Sequence, residues 1–126
     1  VFVDKHGKAI QTIKENLKSV KMEDLAKVFR TDAFRAIKAA AKNGLVFDLI
    51  LLDPPYRKVD YNKLMDDLIK YKLIRPGGIL YCEHDPKEKL PDESDFLYIL
   101  KEEIYSNTIA VTIYRYIEEG DSLCRN

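Results

Sequence analysis

Several features that would place a chain in a large class are scarce here. Only two cysteines occur, Cys82 and Cys124, far apart and without C-x-x-C spacing. Cys82 falls inside an apolar run and is expected to be a buried, inert thiol, with a reducing cytoplasm as the natural home. No apolar run approaches the roughly 20 residues a membrane helix needs, and no stretch reads as a signal peptide. Glycine is sparse, five in 126 residues, and none precedes Gly7. Net charge is absent, with 21 basic and 21 acidic side chains. There is no internal repeat and no low-complexity tract.

What is present describes an ordinary globular domain. A hydrophobic content of 46% with 33% charged residues excludes disorder, and the length suits one domain with a single core. The charge is unevenly spread. Residues 1–63 hold 13 Lys and Arg against 8 Asp and Glu, a balance of +5, and residues 64–126 hold 8 against 13, a balance of −5. A basic half is compatible with a polyanionic partner, and equally with solvated helix faces.

Periodicity gives the order of elements. Residues 1–3 read as a strand ending at Asp4. Ile10, Ile13, Leu17 and Val20 form the apolar stripe of a helix over about 6–19. Residues 27–30 read as a short strand leading to Thr31-Asp32, a helix start. Phe34, Ile37 and Ala41 then repeat at helical spacing until Asn43-Gly44. The run Val46-Phe47-Asp48-Leu49-Ile50-Leu51-Leu52 predicts a strand buried on both faces. Asp60 is expected to cap a helix whose Leu64, Leu68 and Tyr71 share one face. Arg75-Pro76-Gly77-Gly78 is a turn signal before a buried strand at 79–83, and 85–95 is a polar loop. Runs 96–105 and 108–117 around Ser106-Asn107 read as an antiparallel hairpin. The fold class is therefore α/β: a parallel, doubly wound sheet finished by an antiparallel hairpin.

The chemistry concentrates at Asp53-Pro54-Pro55-Tyr56. Two prolines stop the ladder because neither donates a backbone N–H. The stiff corner that remains offers the Asp53 carboxylate, the Pro54 carbonyl and the Tyr56 ring. It stands at the carboxyl end of a strand, where open α/β sheets bind ligands. An exocyclic amine is a poor nucleophile because its lone pair is delocalised into its ring. Two acceptors on its two N–H groups favour pyramidal nitrogen and stabilise the positive charge that develops on methylation. Asp53 Oδ and the Pro54 carbonyl suit that task, with Tyr56 stacking on the base. No metal or covalent nucleophile is needed.

Strand–Asp-Pro-Pro-Tyr–helix, Arg-Pro-Gly-Gly–strand and a terminal hairpin resemble the S-adenosylmethionine-dependent amino-methyltransferases of the Rossmann-like class I fold. The stretches "VFVDKHGKAIQTIKENL", "TDAFRAI" and "FDLILLDPPY" are similar to the bacterial 16S ribosomal RNA guanine-N2 methyltransferases. The resemblance covers essentially all of 1–126 as one partial methyltransferase domain. It implies Asp53, Pro54, Pro55 and Tyr56 as catalytic residues. Asp4, with Lys5 beside it, would grip the cofactor ribose. Asp32 would accept from the adenine amine while serving as a helix cap, and Ala33 and Phe34 would line the adenine pocket. Tyr56, Arg57 and Lys58 would meet the RNA, free or in a small-subunit particle, although Arg57 and Lys58 read equally as solvated loop charges. His6 is read as an exposed helix-start residue, and His84 as structural or solvent-facing.

The family's glycine-rich loop after its first strand has no counterpart here, and the chain is expected to begin at the family's second strand. A missing central strand leaves a gap of ~4.8 Å and two unpaired backbone rows. Either strands 1–3 and 46–52 pair directly, or a second chain fills the slot by dimerisation or strand exchange. Alone, the 126 residues are expected to bind S-adenosylmethionine poorly and to be inactive. Adenine-N6 and cytosine-N4 amines fit the same corner, and a non-catalytic Rossmann-like module stays open as an alternative. A phosphoacceptor receiver domain fits badly, because Asp4 lacks an adjacent carboxylate for Mg²⁺.

Overall fold

A computed structural model of the chain describes residues 1–53 and 60–118. The elements are β1 (Phe2–Asp4), α1 (Gly7–Ser19), a 3-10 turn at Glu23–Leu25, β2 (Val28–Arg30), α2 (Ala33–Lys42), β3 (Phe47–Leu52), α3 (Tyr61–Lys70), β4 (Ile74–His84), β5 (Leu97–Ile104) and β6 (Ala110–Tyr116). This is the order expected from periodicity. Local chemistry explains the boundaries. Asp32 and Asp60 cap α2 and α3 by accepting from the backbone N–H groups of Arg35 at 3.0 Å and Lys63 at 3.2 Å. Gly44, at φ +71°, takes the left-handed turn that ends α2 after Asn43.

The described strands form two sheets, a parallel β1–β2 pair and a four-stranded sheet in the order β3-β4-β6-β5. Within the larger sheet β3 runs parallel to β4, while β6 is antiparallel to both β4 and β5. Direct pairing of β1 with β3, one of the two arrangements expected, does not occur among the described residues. The helix α1 packs on β1 and β2, and α2 packs on α3.

The core lies on one face of the larger sheet. Tyr61, Leu64, Met65 and Leu68 of α3 meet Leu80 and Cys82 of β4, Leu97 of β5 and Tyr114 and Tyr116 of β6. On the opposite face β3 is open, which corrects the expectation that it is buried on both sides. Leu49 is 55% and Leu51 67% exposed, whereas Ile50 and Leu52 turn toward the core. Alternation sets which residues share a face. Whether a helix covers that face is a tertiary matter, and α1 sits over β1 and β2 instead.

A second correction concerns Arg75-Pro76-Gly77-Gly78. The segment is no turn between elements but a bulged stretch inside β4. The register jumps there from Phe47↔Ile74 to Leu49↔Ile79. Gly77, at φ +82°, lets the extra residues loop out. A Cβ on Gly78 would lie 2.7 Å from the Arg75 carbonyl oxygen and from Ile74 Cδ1, so only glycine fits where the strand rejoins.

Candidate active site

Parallel pairing gathers carboxyl groups at strand ends. Asp4 closes β1, Asp32 follows β2, Asp53 follows β3, and Glu83 is the penultimate residue of β4. The two sheets divide them into two groups.

The first group surrounds Asp4. Its Oδ1 accepts from the His6 N–H at 2.8 Å, and its carbonyl accepts from the Thr31 N–H at 3.1 Å. Among the described residues no donor reaches Oδ2, leaving one oxygen for a hydroxyl ligand. Lys5 is exposed, and its carbonyl accepts from Arg30 Nε at 3.2 Å. Asp32 serves its own helix: besides the cap, Oδ2 lies 3.4 Å from Arg35 Nε. Ala33 and Phe34 are half-buried against the core. Lys63 Nζ of α3 sits 4.2 Å from the centre of the Phe34 ring, which brings the starts of α2 and α3 together.

The second group is Asp53 and Glu83. The last paired residues of the parallel ladder are Leu52 and Cys82, so Asp53 and Glu83 stand side by side one step further on. Asp53 is exposed. A hydrogen bond with the Asp53 side chain and that group's charge hold the Glu83 carboxyl above its ordinary value, with a smaller contribution from burial. Pro54, Pro55, Tyr56, Arg57 and Lys58 lie outside the described residues.

Two residues at this corner were not singled out from the sequence. One is Glu83, whose signal was a charge closing an apolar run. The other is Tyr61, first residue of α3 and 2% exposed. Its hydroxyl lies 2.9 Å from the Leu52 carbonyl and 2.5 Å from the Glu83 carbonyl. Burial foremost, then nearby acidic groups, pushes this phenol well above its ordinary pKa, so it stays a donor. Behind it His84 is held by the Asp85 carbonyl at 2.9 Å and Thr112 Oγ1 at 2.8 Å. Of the two readings the sequence left for His84, structural or solvent-facing, the buried, structural one holds. Among the described residues no group of three or more His, Cys, Asp or Glu could hold a metal ion, and no helix is long and apolar enough to cross a membrane.

Comparison with known proteins bears on this geometry. A Bacillus subtilis protein named "Putative rRNA methyltransferase YlbH" is 39% identical over 115 residues, covering 91% of this chain and 62% of the relative. The chain thus spans less than two thirds of that relative's length. "Ribosomal RNA large subunit methyltransferase I" of Enterobacter sp. (strain 638) is 32% identical over 89 residues, covering 64% of this chain and 22% of the relative. A solved structure of a conserved hypothetical protein from Streptococcus pyogenes superposes with a TM-score of 0.83 at 32% identity, covering 93% of this chain and 71% of that one. The superposition shows that this chain shares the α/β fold of that protein. Residues 1–115 match the family described as "Conserved hypothetical protein 95", and the chain belongs to that family.

Proposed function

We propose that this chain is the catalytic part of an S-adenosylmethionine-dependent methyltransferase acting on the exocyclic N2 amine of a guanine in 16S ribosomal RNA. The observation that carries the reading is the exposed Asp53 carboxylate at the end of β3, beside Glu83. It stands where a strand end can face a ligand and not inside the core. The names of the relatives support ribosomal RNA as the substrate class. The choice of guanine and of 16S RNA rests on the resemblance of the motif and its flanking segments.

The residues present fit the adenosine half of the cofactor. The Asp4 oxygen left over from the His6 N–H suits a ribose hydroxyl, with Lys5 adjoining. The half-buried Ala33 and Phe34 offer an apolar surface to a flat ring, and Asp32 offers an acceptor to its amine. When bound, S-adenosylmethionine supplies an electrophilic methyl on a sulfonium. The chain's own residues do the rest. Asp53, with the Pro54 carbonyl, would accept the two N–H bonds of the base amine, fix its lone pair in line and stabilise charge as it develops. Pro55 would stiffen the corner and Tyr56 would stack on the base. Arg57 and Lys58 would contact phosphates.

The test is methylation of unmodified 16S and large-subunit RNA by the full-length protein with labelled S-adenosylmethionine, followed by identification of the product nucleoside. N2-methylguanosine in 16S RNA is expected. N6-methyladenosine, N4-methylcytidine, or label confined to large-subunit RNA would overturn the substrate assignment.

A further inference from the structure

Tyr61 carries more than its ring needs. On α3 its neighbours in the core are Leu64, Met65 and Leu68, and a phenylalanine would pack among them equally well. The hydroxyl has a separate destination. It meets the carbonyl of Leu52, the residue directly before Asp53, at 2.9 Å, and that of Glu83, which stands beside Asp53 one step past the ladder, at 2.5 Å. Both carbonyls lie where the parallel ladder ends at Leu52↔Cys82. One phenolic proton shared between two strand ends ties them at a fixed separation. The ring itself is held in place. His84 packs edge-on against it, with centroids 6.4 Å apart and planes at 77°. His84 is in turn fixed through Thr112 on β6 at 2.8 Å. The strap therefore runs from β3 through α3 and β4 to β6, and its free end is the point at which Asp53 leaves the sheet.

We infer that Tyr61 is a positioning residue for methyl transfer, its hydroxyl setting where the Asp53 carboxylate stands relative to Glu83 and to the amine it accepts from. This rests on the reading of Asp53 as the amine acceptor. Because a displacement of about 1 Å in a reacting group can cost about 100-fold in rate, the hydroxyl matters although it touches neither base nor cofactor. Hydrogen bonding and charge from Asp53 hold the Glu83 carboxyl above its ordinary value, so a displaced Asp53 would be read there.

The experiment compares Tyr61→Phe with Tyr114→Phe in the full-length protein. Tyr114 is fully buried, and its hydroxyl donates to the Pro91 carbonyl at 2.6 Å. Each variant thus loses one buried phenol–carbonyl bond, and similar drops in thermal midpoint are expected. Tyr61→Phe should lower kcat on the RNA substrate by about 10- to 100-fold, with the RNA KM and the S-adenosylmethionine Kd within about 2-fold of the parent. Tyr114→Phe should stay near parental kcat. A readout free of turnover is the ¹³C carboxyl titration of Glu83. Its midpoint should fall toward that of an ordinary glutamate in Tyr61→Phe only. Equal kcat in the two variants, or an unmoved Glu83 titration in Tyr61→Phe, would overturn the inference. Asp53→Ala run in parallel separates the two levels. If it retains activity, the amine-acceptor reading fails and takes this role with it; if it is inactive while both Phe variants behave alike, only the role of Tyr61 fails.

Discussion

Truncating one residue on each face of the larger sheet asks where the core of this chain lies. Leu80 is fully buried in β4, between Ile50 of β3 and Tyr114 of β6 in the register. Leu→Ala at such a site costs about 2–5 kcal/mol, more where the surroundings cannot collapse. Hydrogen-bonded strands on both sides leave little room to relax, so about 4 kcal/mol is expected for Leu80→Ala. With an unfolding entropy near 2.1 cal/mol/K per residue, a chain of this length shifts by about 4 °C per kcal/mol, giving a drop of about 15 °C. Leu51, on the neighbouring strand, is 67% exposed. Leu51→Ala should therefore stay within about 0.5 kcal/mol, or about 2 °C. Thermal unfolding of the 126-residue chain followed by circular dichroism, with urea titration to check that m is unchanged, measures both. Comparable losses for the two variants would show that the second face is also covered, and the one-sided packing described above would be wrong.

Other perturbations probe separate features. Burial pushes the Cys82 thiol up to about 12, so alkylation mapped to the Cys82 peptide at pH 7.5 should be negligible in the native state and rapid in denaturant. Fast native labelling would place Cys82 outside the core. Glu83 has a raised folded pKa, so the stability it contributes is complete below the unfolded value of about 4.3 and is lost as pH rises through the folded value. Glu83→Gln, which cannot ionise, should therefore gain in thermal midpoint over the parent as pH goes from 4 to about 7.5; a gap that stays constant would remove the Asp53 coupling. Gly78→Ala must move either the Arg75 carbonyl or the Ile74 side chain, each 2.7 Å from the added carbon. A loss of about 1–3 kcal/mol in urea unfolding is expected, and a neutral result would contradict the tight rejoining of β4.

Much of this fold is legible in the residues because the deciding interactions are local. Asp32 and Asp60 reach N–H groups three residues on, and Asn43-Gly44 ends a helix through its own backbone. Alternation in β6 defines two faces, but it cannot say that Tyr114 and Tyr116 form the inward set. The hydroxyl of Tyr114 becomes acceptable inside only because the Pro91 carbonyl meets it. Arg75-Pro76-Gly77-Gly78 carries turn chemistry, and a bulge within a strand uses the same residues as a turn between elements. The open face of β3 was hidden for a different reason, since four aliphatics in a row look alike whether one side or both are covered. At the candidate site, Asp4, Asp32 and Asp53 were legible because each closes or follows a strand. Tyr61 was not, because its partners lie 9 and 22 residues away in sequence.

Single-turnover methylation by full-length Asp53→Ala, with S-adenosylmethionine affinity measured on the same preparation, is the most direct test of the proposed chemistry. Removing the acceptor should slow methyl transfer by about 10²-fold or more while leaving cofactor affinity unchanged. A rate near that of the parent, or a loss of turnover explained wholly by a loss of cofactor binding, would contradict the role of Asp53 as the acceptor for the base amine.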